Sequence, residues 1–121
     1  MYMQQGGVQQ GEVFIKMFAG VRNGLMAHLG SELWQTYSAL ATYMDRDGYC
    51  YPSQSQLAKV MGVRRETAGI RIRRLLDIEW QGEKLVVATK ARHGGNAYAN
   101  TRYWVNPNVA FRFSVENSHE R

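Results

Sequence analysis

The sequence predicts an α+β fold in which three helices are followed by a C-terminal β-hairpin, with a further strand near the N-terminus. Three observations predict it. Apolar residues recur at helical spacing between Leu33 and Met44 and again between Leu57 and Leu76; serine, proline and glycine fall where those segments should start and stop; and the apolar period drops to two after Gly82. With 121 residues, 45% of them hydrophobic and 21% charged, the chain has the material for one core and not for two. The expected organisation is a flexible tail over 1–12, rich in Gln and Gly, a domain over 13–106, and a C-terminal tail over 107–121.

Element by element, VFIKMF (13–18) reads as a strand, and the segment to Gly30 as a short helix or turn. From Ser31, a fitting N-cap, Leu33, Trp34, Tyr37, Leu40, Ala41 and Met44 line one helical face. Asp45-Arg46-Asp47-Gly48 ends this helix as a turn. These four residues also resemble the start of a calcium loop, but Tyr49 stands at the third ligand position, where oxygen of another kind is needed. Pro52 and Ser53 open the second helix, and Ser53 with Gln56 has the spacing of a capping box. Leu57, Ala58 and Met61 face inward, Gly62 stops the helix, and Val63 plugs the corner before the third. Two helices joined by so short a glycine turn form a helix-turn-helix, whose second member enters the DNA major groove.

At 100° per residue, Ala68, Ile72, Leu75, Leu76 and Glu79 share one side of the third helix, and Glu66, Gly69, Ile70, Arg73 and Asp77 the other. The first side should pack. The second suits DNA bases: Arg73 can donate two bonds to guanine, Glu66 can accept from cytosine, Ile70 can meet a thymine methyl, and Gly69 lets the backbone approach. Arg64, Arg65 and Thr67 at the helix start, Arg71 and Arg74 on its flanks, and Ser53, Gln54 and Ser55 at the start of the preceding helix are placed for phosphates.

Charge supports an anionic partner. The formal net charge is +5, and all of it resides in residues 64–102, where nine basic residues face four acidic ones; the rest of the chain balances at six of each. Five arginines fall between Arg64 and Arg74, a crowding that costs a few tenths of a kcal/mol per badly spaced pair and that a polyanion would relieve. If about five phosphates are neutralised, log K should fall with log salt at a slope of about −4 to −5.

The runs at 84–90 and 98–105, rich in Val, Thr, Tyr and Trp, flank a Gly94-Gly95-Asn96 turn and form a hairpin. Its tip carries Lys90, Arg92, His93 and Asn96, with Arg102 on the returning strand. Three helices and a basic hairpin make up the winged helix-turn-helix plan, with the wing on the sugar-phosphate backbone or in the minor groove.

PSQSQLAKVMGVRRETAGIRIRRL resembles the helix-turn-helix of bacterial plasmid and phage replication initiators. The shared features are Pro52 to Gln54, Leu57-Ala58, Gly62-Val63, and Thr67, Ile72 and Leu75; LWQTYSALATYMDRDGYCYPS before it and YWVNPNVAF after it are similar to the flanking segments of such proteins. The resemblance implies origin-binding protein acting on double-stranded DNA, as a homodimer on repeated sites, with replication-machinery proteins as further partners. In two places the chain departs from it. Arg64 replaces the usual capping serine, and Ala68-Gly69 sets a small pair where a β-branched residue often packs, Gly69 weakening the helix by roughly 1 kcal/mol relative to Ala. A transcriptional repressor, a plasmid-partition factor, or a winged-helix module that binds proteins of a replication complex would use the same plan.

No catalytic, cofactor or metal site is expected. There is no Gly-rich Lys-Ser/Thr loop, the three histidines, His28, His93 and His119, are scattered, and none of the seven tyrosines has a legible acid or base partner. One cysteine, Cys50, cannot close an internal disulfide, and no apolar run is long enough to span a membrane, so a cytoplasmic location with no membrane partner is the expectation.

Overall fold

The computed structural model of the chain describes residues 12–90 and 101–116. The sequence expectation of a winged helix-turn-helix holds: three helices pack together, and a three-stranded sheet built around the hairpin closes one end of their core. The elements are β1 (Val13–Met17), a 3-10 turn (Ala19–Asn23), α1 (Leu25–Ala41), β2 (Tyr49–Cys50), α2 (Gln54–Met61), α3 (Arg65–Leu76), β3 (Glu79–Trp80), β4 (Glu83–Lys84), β5 (Val86–Lys90), β6 (Thr101–Val105) and β7 (Phe111–Val115).

The helix boundaries follow local chemistry. Ser53 accepts from the Gln56 amide at 3.0 Å while Gln56 Oε1 accepts from the Ser53 amide at 2.7 Å, so both partners of the expected capping box are present. Gly62 takes the left-handed conformation (φ 71°, ψ 33°), and the Val63 amide donates back to the Ala58 carbonyl at 3.0 Å, which closes the helix and sets the turn into α3. Asp45 holds its own turn, its carboxylate accepting from the Asp47 and Tyr49 amides, each at 2.9 Å. The first helix differs from expectation. It begins at Leu25, and the non-helical residue within it is Gly30 (φ 75°, ψ 173°), so Ser31 lies inside the second segment and does not cap it.

Leu25, Leu33, Tyr37 and Leu40 of α1, Leu57 of α2, and Ala68, Ile72 and Leu75 of α3 meet in one buried cluster, joined by Val86, Tyr103 and Val105 from the sheet and by Leu85 just before β5. Each fully buried leucine is worth about 1.5–3 kcal/mol of transfer from water. The sheet runs β2-β6-β5, all antiparallel, with Cys50 opposite Tyr103 and Val86 opposite Val105. Because strand side chains alternate, Cys50, Ala88, Tyr103 and Val105 face the helices, and Tyr49, Arg102 and Trp104 face away. The expected strand over 84–90 is broken at Leu85. Its first part pairs with Glu79–Trp80 in a small extra hairpin whose two turn residues, Gln81 (φ 55°) and Gly82 (φ 83°), both have positive φ. Glu79 is therefore an exposed strand residue and not part of the packed side of α3.

The expected C-terminal tail also needs correction. Residues 107–110 turn the chain back, and Phe111–Val115 pairs antiparallel with β1, Met17 opposite Phe111. Alternation in FRFSV explains it: Phe111 is 6% exposed, its ring 5.0 Å from that of Tyr37 and 5.4 Å from that of Trp34, while Arg112 points outward and stacks over Phe18 at 5.2 Å. Asn106 fixes the turn; its buried carboxamide donates to Glu83 Oε1 at 3.1 Å and to the Lys84 carbonyl at 3.0 Å, and accepts from the Asn108 amide at 3.0 Å. Among the described residues no helix is long and apolar enough to cross a membrane.

Candidate nucleic-acid interface

The exposed face of α3 carries Arg65, Glu66, Ile70 and Arg73, and Ile70 is 51% exposed despite its apolar side chain. These residues line one shallow cleft of about 290 Å³ together with Gln54 of α2. A second cleft, of about 370 Å³, runs between α3 and the β5–β6 hairpin; Gln54, Gly69, Ile72, Arg73, Ala88, Lys90 and Thr101 border it. A third, of about 180 Å³, is bordered by Ser53, Gln54, Ser55, Arg65 and Thr101. The start of α2, the outer face of α3 and the inner edge of the hairpin thus form one continuous surface.

Its electrostatics are those of a site open to anions. No acidic side chain among the described residues lies within ion-pair distance of Arg64, Arg65 or Arg73. Arg64 occupies the N-cap position of α3 with extended geometry (φ −73°, ψ 155°) and makes no side-chain cap, so among the described residues the first-turn amides of α3 receive no capping acceptor from the N-cap side chain. The positive end of the helix, with Arg64 and Arg65 around it, suits a phosphate oxygen.

Several residues assigned to this surface from sequence lie elsewhere. Arg71 is directed at α1, where it bonds Glu32 Oε2 and Gln35 Oε1, both at 3.3 Å, and its side chain is only 16% exposed. Arg74 reaches the same Glu32 carboxylate at 3.5 Å. The reason is angular: at roughly 100° per residue, Arg71 lies about 160° round α3 from Arg73 and Arg74 about 100°. Thr67, half-buried, shares that flank. Gly69 is buried and not open to an approaching backbone, because the Gln54 side chain covers it. The Ser53 hydroxyl is engaged in the capping box, whereas Ser55 is exposed. Arg102 lies on the outward face of the sheet, its guanidinium 4.5 Å from the centre of the Tyr49 ring. Lys90 is exposed at the end of β5. Arg92, His93 and Asn96 lie outside the described residues.

Sequence reasoning missed the Glu32–Arg71 tie, which joins positions 39 apart. It also missed the part played by Gln54 as the residue common to all three clefts. Gln35 extends the tie to α2, donating to the Met61 carbonyl at 3.1 Å, so the polar bonds of one cluster fix the mutual positions of all three helices.

A family model described as a helix-turn-helix domain matches residues 35–77, from within α1 to the end of α3. No curated protein and no solved structure matches the chain. The chain contains a helix-turn-helix domain, and the matched segment carries the exposed face of α3.

Proposed function

We propose that this protein binds double-stranded DNA sequence-specifically, with α3 in the major groove and the β5–β6 hairpin against the adjoining backbone, and that it recognises a replication origin of a plasmid or phage. The observation that carries the DNA reading is the single exposed surface on which Arg64, Arg65 and Arg73, without acidic partners among the described residues, adjoin Glu66, Ile70 and Lys90. That surface offers phosphate-binding cations at its edges and base-reading groups at its centre. The replication role is supported by the resemblance of residues 13–111 to plasmid and phage initiators. Homodimeric binding to repeated sites, and contacts with replication-machinery proteins, belong to the same proposal.

A footprint of the protein on the DNA of its own replicon tests the reading. Protection of repeats within the origin is the expected result. Protection confined to a promoter or to a centromere-like array would replace origin binding with repression or partition, and no protection at physiological salt would refute DNA recognition as the function.

A further inference from the structure

We propose that Gly69 is a specificity-determining position that acts through Gln54: with no Cβ at 69, the Gln54 carboxamide sits on α3 beside Arg73, and the two side chains read neighbouring base pairs as a unit. The inference rests on the DNA-binding reading above and assigns Gln54 a base contact in place of the phosphate contact its position at the start of α2 suggests.

The geometry points to space, not backbone conformation, as the reason for glycine here. Gly69 lies in the middle of α3 with no positive φ, so any residue could adopt its backbone. Glycine is the poorest helix former after proline. A Cβ at this position would overlap Gln54 Nε2 and lie 3.2 Å from Gln54 Cδ and 3.5 Å from Arg73 Nη1. The carboxamide therefore occupies the volume that any other residue at 69 would fill, and it does so next to the Arg73 guanidinium. No hydrogen bond from a described residue engages that carboxamide, which leaves its donors and its acceptor for a ligand. Gln54 borders both clefts that Arg73 borders.

The chemistry of the pair is complementary to a purine step. A guanidinium donates two bonds to guanine O6 and N7, and a carboxamide both donates to and accepts from adenine at N7 and N6. In helix-turn-helix proteins the first helix of the motif ordinarily crosses the backbone. Here the vacancy at 69 lets a side chain from that helix lie over the reading face of the second, so part of the specificity comes from outside α3.

The test begins with duplexes selected by the wild-type protein from a random pool. Affinities of wild type, Gly69→Ala, Gln54→Ala and the double variant are then measured on a selected duplex, on versions altered at one base pair each, and on scrambled duplex. In Gly69→Ala the new methyl displaces only the end of a flexible side chain, so the variant should fold with an undiminished unfolding midpoint. Both single variants should lose about tenfold on the selected duplex, the size expected for one lost base contact. Both should stop discriminating at the same base pair, adjacent to the one that Arg73→Ala loosens, and the double variant should be no worse than either single. Binding of scrambled duplex should stay within about twofold. Losses that add in the double variant, a Gly69→Ala protein that binds like wild type or fails to fold, or an equal loss from Gln54→Ala on scrambled duplex would each overturn the inference. A wild-type protein that prefers no duplex over scrambled DNA would instead refute the underlying DNA-binding reading.

Discussion

The guanidinium of Arg71 lies 3.3 Å from the Glu32 carboxylate, across the packing of α3 on α1 and on the far side of α3 from Arg73. This divides the arginine-rich stretch in two. Arg71 and Arg74 share Glu32, Arg71 as a largely buried tie between α3 and α1 and Arg74 as an exposed pair at the surface, whereas Arg64, Arg65 and Arg73 have no acidic partner among the described residues. The like-charge cost apparent in the sequence is thus met partly inside the fold and left partly for an external anion.

Arg71→Ala should consequently reduce stability and spare DNA binding. The pair is half exposed on the Glu32 side, which limits its electrostatic value, but the Gln35 bond is lost as well, so about 1 kcal/mol is expected. A lower denaturant midpoint at unchanged m-value, with affinity for a selected duplex within about twofold of wild type, is the result to look for. A selective loss of duplex binding would place Arg71 at the DNA after all.

Arg73 and Arg65 should separate specificity from affinity. Arg73 stands beside Gln54 at the centre of the surface, and Arg65 stands at its edge near the uncapped start of α3. Arg73→Ala should cost roughly 1 to 3 kcal/mol at one base position and relax discrimination there, while Arg65→Ala weakens all duplexes alike. Equal losses from both variants on cognate and random DNA would defeat this division.

Salt dependence should be shallower than the charge of the sequence suggests. With Arg71 and Arg74 tied to Glu32 and Arg102 on the outward face of the sheet, fewer cations remain for phosphates than the formal count implies. Neutralising about four phosphates gives a slope of log K against log salt of roughly −3 to −4. A slope of about −5 or steeper would mean that these paired arginines leave Glu32 when DNA binds.

The elements legible in the sequence are those fixed by near neighbours. Ser53 with Gln56, and Gly62 with Val63, lie within a few residues of their partners, so α2 and the turn into α3 could be read from the chain alone. Interactions between distant positions could not. Nothing near Arg71 announces Glu32, and the strand Phe111–Val115 becomes evident only when β1 is there to pair with it. Helical angle alone put Gly69 on the same side of α3 as Arg73, but no local rule indicates that a side chain from α2 covers and buries it there. The small hairpin at 79–84 escaped notice because its turn uses a non-glycine residue, Gln81, at positive φ.

Cys50 should make the fold sensitive to alkaline pH. Its thiol is 2% exposed and donates to the Leu40 carbonyl at 3.8 Å; burial, with a smaller contribution from the nearby Asp45 carboxylate, pushes its pKa from an ordinary 9.0 up to about 12. The folded chain therefore keeps the proton that the unfolded chain gives up as pH rises through 9, and stability falls from there toward 12. Burial raises the Tyr37 and Tyr103 hydroxyls in the same direction from an ordinary 10.0, so their share of the loss begins about one pH unit later. Cys50→Ala should flatten the earliest part of the decline, between about pH 9 and 10, while leaving the steeper tyrosine-driven part above it. The comparison is of slopes, because removing the thiol also leaves a small cavity that lowers stability at every pH. Urea unfolding of both proteins at pH 7, 9 and 9.8 would measure it, and identical slopes for wild type and variant would show that the thiol does not govern the alkaline limb.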